Sequence, residues 1–205
     1  MDILFLKSGM SNMKSVRALT EFENVEDCDK ELKAVFHELY PNPNDIKMFW
    51  TFVDKSEGFN CICPDFFERI PKTLAEFKKM GLTVKHCYMI SIVDYEHGSV
   101  HTDYRADPVR IHWPVYNEDS VITKWFDFSG ELKDCPVRIV DAIGPPYVEV
   151  DEAKCTLIDE HIFKGPTAFR VDIPHCATAI QGLPLPRVAF SFSFNEQKLV
   201  NSLLS

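Results

Sequence analysis

No apolar run in this 205-residue chain approaches the roughly 18 residues that a membrane-spanning helix needs. Its first ten residues, MDILFLKSGM, carry an acid at position 2 and too short an apolar core for a secretory signal, so a cytoplasmic protein is expected. Basic charge is scarce as well: 22 Lys and Arg stand against 31 Asp and Glu, a formal net charge of −9. A surface of that sign repels phosphate, which argues against membrane association and nonspecific nucleic-acid binding. A disulfide framework is also missing. The seven Cys are an odd number without repeating spacing, and only Cys61 and Cys63 fall close together, as C-x-C. That is not the C-x2-4-C pairing of a zinc finger, so reduced thiols are expected. With no internal repeat and no low-complexity linker, residues 1–205 read as one domain.

What the chain has is aromatic and patterned. Sixteen Phe predict a large aromatic core. Residues 24–40 place Leu32, Val35, Phe36 and Leu39 on one helical stripe with acids near its start. Residues 46–54 read as a strand, and residues 64–81 as a helix interrupted at Pro71 and stopped by Gly81. After Gly81 the texture changes to strands at 82–95, 109–116, 121–128, 166–173 and 187–194, separated by short turn signals. Helices followed by many short strands predict an α+β, mainly β protein, with a barrel, sandwich or jelly roll managing the strand edges. The last strand, RVAFSFSF, alternates sharply. Val188, Phe190, Phe192 and Phe194 share one face, while Arg187, Ala189, Ser191 and Ser193 share the other, a face suited to line a pocket.

Polar residues recur two apart at His101 and Asp103 and again at Arg110 and His112, so each pair points to one side of an extended chain. His175 follows a strand further on, and Arg187 comes 187 − 175 = 12 residues later. Two imidazoles and one carboxylate can hold one face of an octahedral Fe(II) and leave its other positions open. A buried guanidinium at 187 can hold a dicarboxylate in a charge-assisted pair. Tyr88 and Ser91 lie on a strand expected to pass near these groups, where either can donate a hydrogen bond to a cosubstrate. His97 is a poor ligand candidate, because Gly98 and the strand context disfavour the helix that an i, i+4 pair with His101 needs. His86 and His161 read as structural or exposed. Cys176, next to His175, points to the opposite face and is no partner for it.

The order H-x-D, distal His, then Arg resembles the Fe(II)/2-oxoglutarate-dependent dioxygenases over residues 82–194. The stretch HTDYRADPVRIHWPVYN (101–117) is similar to the aspartyl/asparaginyl β-hydroxylase branch, with Asp103 standing where the animal enzymes lack a metal carboxylate. The resemblance is to a small microbial or phage-type member. It implies a double-stranded β-helix (jelly-roll, cupin-like) core over 82–195, with N-terminal helices and supporting strands over 1–81. It further implies Fe(II), 2-oxoglutarate and O2, with His101, Asp103 and His175 as metal ligands. Arg187 would bind the far carboxylate of 2-oxoglutarate, and Arg110 and His112 would help position it. The substrate would be a small molecule or peptide. Two alternatives remain at this stage: a cupin-like metalloenzyme needing no keto acid, and a non-enzymatic β-sandwich binding protein. The interruption from Gly130 to Pro146 is a candidate specificity loop.

Overall fold

In the computed structural model, the residues described are 14–47, 50–54, 61–95, 98–103, 107–139 and 146–205. The chain begins with β1 (Val16–Ala18), α1 (Val25–Leu39), β2 (Trp50–Phe52), α2 (Phe66–Arg69) and α3 (Pro71–Lys79). Then come β3 (Val84–Ile92), β4 (His101–Asp103), β5 (Val109–Tyr116), β6 (Val121–Phe128), β7 (Val137–Ile139) and β8 (Pro146–Glu149). It closes with β9 (Cys155–His161), β10 (Thr167–Arg170), β11 (His175–Ala179), β12 (Arg187–Phe194) and α4 (Gln197–Ser202).

The strands form two six-stranded sheets, ordered β1-β10-β5-β12-β3-β2 and β7-β8-β4-β11-β6-β9. Every pairing between these strands is antiparallel. Setting aside β1, β2 and the β7–β8 insertion leaves eight strands. They alternate between sheets on each side of the β6–β9 pair, giving β10-β5-β12-β3 against β4-β11-β6-β9. That is the double-stranded β-helix expected from the sequence. Each sheet ends in two edge strands, β1 and β2 in the first and β7 and β9 in the second.

The alternation in β12 decides which side of the first sheet faces what. Phe190, Phe192 and Phe194 are fully buried and meet the helices: Phe66 lies 5.0 Å from Phe190, and Phe77 lies 5.1 Å from Phe192 and 5.0 Å from Phe194, centroid to centroid. Three such ring pairs contribute about 0.5–1.5 kcal/mol each beyond the area they bury. The opposite face of β12 looks into the space between the sheets.

The helical layer is held by an exchange of carboxylates. Neither α1 nor α3 has a side-chain cap of its own at its N-terminus. Glu31 of α1 instead accepts the first-turn amides of α3, Lys72 N at 3.0 Å and Thr73 N at 2.8 Å, along with the Thr73 hydroxyl at 2.8 Å. Glu76 of α3 returns the favour at the start of α1, accepting Glu23 N at 2.9 Å and Asn24 Nδ2 at 2.8 Å. Each carboxylate satisfies donors that a helix terminus would otherwise leave unpaired. Lys79, bonded to Glu76 at 2.7 Å, and then Asn24 hold that carboxyl down at about 2.

Two sequence expectations need correcting here. The strand expected over 166–173 ends at Arg170, where the side chain closes on Asp172 at 2.7–2.8 Å, and a separate strand starts at His175 after Pro174. The interruption at 130–146 contains β7, which pairs with β8; residues 140–145 lie outside the described residues, as does His97. No helix among the described residues is long and apolar enough to cross a membrane.

Candidate metal centre and cavity

His101 opens β4 and His175 opens β11, and the antiparallel register sets them directly opposite each other. Their rings lie 4.7 Å apart. Asp103, two residues beyond His101, shares its face. One ligand atom from each of the three lies within 4.8 Å of those of the other two.

The imidazoles are oriented by the same local device. His101 Nδ1 lies 2.8 Å from the carbonyl oxygen of Ser99, and His175 Nδ1 lies 2.9 Å from that of Ile173, in each case two residues back. A carbonyl oxygen only accepts, so each Nδ1 is the donor, and in a neutral ring that leaves the lone pair on Nε2. That is the tautomer a metal ligand needs, with the outward nitrogen fixed behind it. His175 is buried, and that burial, followed by the neighbouring His101, pushes it down to about 4. It is therefore neutral at pH 7.

Asp103 has its Oδ1 3.8 Å from His101 Nε2, while its Oδ2 accepts Arg110 Nη2 at 2.9 Å. Arg110 is the residue expected to help position a cosubstrate, and the structure engages it with the carboxylate of the triad. Its guanidinium lies over the ring of Tyr88 at 5.0 Å, and Trp50 stacks on Tyr88 at 5.2 Å and 27°.

The triad opens into a cavity of about 600 Å³. Arg187, His112 and Ser191 line it together, from the inward faces of β12 and β5, where Ser191 and His112 are direct cross-strand partners. All three are buried. Arg187 Nε, both ring nitrogens of His112 and the Ser191 hydroxyl have no hydrogen-bond partner among the described residues. Arg187 forms no ion pair with a described carboxylate, although the charge of Glu118 acts on it from a distance, and its Cζ lies 5.9 Å from the centre of the Phe163 ring. Burial pulls the guanidinium down to about 10, so it stays cationic at neutral pH. His112 stacks on Phe169 at 4.5 Å and 24°; burial, then the charges of Arg187 and Arg110, push it well below 6.5 and keep it neutral. A buried cation, a neutral imidazole and a hydroxyl, all unsatisfied at one cavity wall, make a receptor for an anion.

The remaining site expectations divide by strand face. Ser91 is a correction: its cross-strand partner is Val188, so it points into the helix-facing core and away from the cavity. Tyr88 does face inward, opposite Ser191, but it is fully buried beneath Arg110 and Trp50 and does not line the cavity. Ser191 is the residue missing from the expected set, although the small-residue face of β12 pointed to it. His86 lies 3.8 Å from the Asp54 carboxylate, and His161 is on β9 against Phe163 at 5.8 Å; neither joins the triad. Cys176 is buried, with its sulfur 3.9 Å from the Thr178 hydroxyl.

No protein-family model and no curated protein matches the chain. Among solved structures, it is similar to HygX from Streptomyces hygroscopicus, determined with nickel and 2-oxoglutarate bound. The identity is 9%, with a TM-score of 0.46 over 89% of this chain and 82% of that one. It is also similar to a Pseudomonas putida prolyl-4-hydroxylase, at 12% identity and a TM-score of 0.40 over 88% and 91% of the two chains. Similarity to E. coli ycfD, at 12% identity and a TM-score of 0.39, covers 62% of this chain and 30% of that one, so this chain spans less than a third of ycfD. The chemistry below rests on the site's own residues.

Proposed function

We propose that this protein is an Fe(II)- and 2-oxoglutarate-dependent oxygenase, a hydroxylase acting on a small-molecule or peptide substrate in the cytoplasm. The observation that carries this reading is the pairing, in one cavity, of a His-Asp-His cluster with a buried guanidinium that makes no ion pair with a described carboxylate. Bound Fe(II), with 2-oxoglutarate and O2, supplies an oxidative decarboxylation to succinate and CO2 that is coupled to oxidation of the substrate.

The chain's own groups suit those components. His101 and His175 turn their Nε2 atoms to the cavity behind Nδ1 atoms held by backbone carbonyls, and Asp103 would add one negative charge without saturating the site. Arg187 would hold the far carboxylate of 2-oxoglutarate, with the Ser191 hydroxyl and the protonated nitrogen of His112 available as neutral donors. Trp50, Ile139 and Tyr147 line the same cavity and form the apolar wall against which a substrate displaces water. The R-x-H-x-P stretch from Arg110 to Pro114 supports the aspartyl/asparaginyl β-hydroxylase-like branch as the finer placement.

The test is succinate formation from 2-oxoglutarate by the protein loaded with Fe(II) in air, compared with metal-free protein. Tight metal binding without succinate release, and without 2-oxoglutarate binding, would make it a metalloprotein of another kind. Absence of metal binding would leave a β-sandwich binding protein.

A further inference from the structure

Two of the side chains lining the cavity come from strands outside the eight-strand core. Trp50 is on β2 and Tyr147 is on β8 of the β7–β8 insertion, so they reach the same space from opposite sheets. Trp50 is the direct cross-strand partner of Ile90, which lines the cavity together with Ile92 from one face of β3. Tyr147 is the direct partner of Asp103, and its ring meets that of His101 edge-on at 5.3 Å and 70°. Ile139 and Pro146, paired with each other across β7 and β8, continue that wall. An apolar surface therefore begins at the candidate metal ligands and extends away from them on both sheets.

The charged groups of the cavity are placed differently. Among the described residues, its ammonium and guanidinium groups are those of Lys47, Arg110 and Arg187. Arg110 is bonded to Asp103 at 2.9 Å, and Arg187 is the group assigned above to the cosubstrate. Lys47 is exposed, and the exposed Asp94 lines the cavity with the opposite sign, so the two favour neither charge. A polar side chain brought between the rings of Trp50 and Tyr147 loses water and gains little in exchange, whereas a hydrocarbon group is stabilised by leaving water. We propose that Trp50 and Tyr147 determine specificity, selecting a substrate that presents an uncharged hydrocarbon side chain or ring to the metal centre. This rests on the oxygenase reading above and names the substrate class for it. The chain thus resembles the aspartyl/asparaginyl β-hydroxylases in motif but differs from them in the side chain it takes.

The test compares N-acetyl-L-leucinamide with N-acetyl-L-asparaginamide, probes of equal charge and similar shape that differ in side-chain polarity. Each is titrated into the oxygen-free protein loaded with Mn(II) and 2-oxoglutarate. Binding is read by NMR from the Mn(II)-induced broadening of the acetyl methyl line that both probes share. The leucine probe should bind about 10-fold or more tightly than the asparagine probe, the factor expected from burying its side chain. Trp50→Ala and Tyr147→Ala should each shrink that preference, and Tyr147→Phe should keep it. Leu157→Ala, at an exposed position of β9 that does not line the cavity, should leave it unchanged. Equal or tighter binding of the asparagine probe, no binding of either, or a preference that survives both alanine substitutions overturns the inference. The comparison of the two probes on the wild type decides even if a variant does not fold. If the wild type binds no Mn(II) or no 2-oxoglutarate, the oxygenase reading fails and takes the inference with it. If both bind and the probes do not differ, only the inference fails.

Discussion

His101 and His175 stand opposite each other across the β4–β11 ladder, and each gives its Nδ1 proton to the carbonyl two residues before it. Two imidazoles 175 − 101 = 74 positions apart are thus oriented by the same backbone contact.

His175→Ala should therefore abolish tight Mn(II) or Fe(II) binding while leaving the β core folded. Loss of a partner behind a metal ligand already costs about 10–100-fold in affinity, so removing the ligand itself should exceed roughly 100-fold. Isothermal titration with Mn(II), alongside far-UV circular dichroism, measures both halves. Unchanged stoichiometry in the variant would take His175 out of the site.

Asp103→Gly should weaken Mn(II) binding far more than Asp119→Gly. Asp119 is a mostly exposed residue paired with Lys164 at 3.1 Å, and such surface changes fall within about 0.5 kcal/mol. Equal effects at the two positions in the same titration would make Asp103 a bystander.

Arg187→Met should weaken 2-oxoglutarate binding to the Mn(II)-loaded, oxygen-free protein. Loss of a buried charged pair costs about 2–5 kcal/mol, which is roughly 30-fold or more in Kd. Metal affinity should hold, since Arg is not a ligand. The melting temperature of the ligand-free variant should equal or exceed that of the wild type, because a desolvated cation that makes no ion pair with a described carboxylate is removed. A variant that binds 2-oxoglutarate as well as wild type would make Arg187 structural.

Much of this site was legible in the sequence because a strand has period two. His101 and Asp103 had to share a face, and the small-residue side of β12 had to be the one with Arg187. The same rule, applied between strand neighbours, would have separated Tyr88 from Ser91: they are three residues apart and so lie on opposite faces, and only Tyr88 points inward. The pairings of Arg110 with Asp103 and of His101 with His175 were not readable. They depend on which strands become neighbours and in what register, and no local pattern encodes that. The short strands β7 and β11 escaped for a related reason: each is stabilised by ladder partners and hardly at all by its own composition.

Acid should loosen the helical layer in a defined window. The Glu76 carboxyl lies at about 2 against an ordinary 4.5, depressed first by Lys79 and then by Asn24. A depressed carboxyl stabilises the fold above its unfolded value, and that contribution is lost as pH falls from about 4.5 towards 2. Melting temperature should fall more steeply across that window in wild type than in Glu76→Gln, with the two curves converging at its acid end. Parallel curves would mean that the exchange of carboxylates between α1 and α3 contributes nothing measurable.

The two-faced strand β12 also bears on which changes in length the chain can absorb. Shifting its register by one residue would turn Phe190 and Phe192 into the cavity and bury Arg187 among the aromatic rings of the helical layer. Fold and chemistry would fail together, from a change that alters no residue type. The largely exposed 181–185 turn just before the strand carries no such constraint. An extra residue inserted in that turn should be tolerated, whereas the same residue inserted between Val188 and Phe192 should not. In this part of the molecule the number of residues is a tighter constraint than their identity.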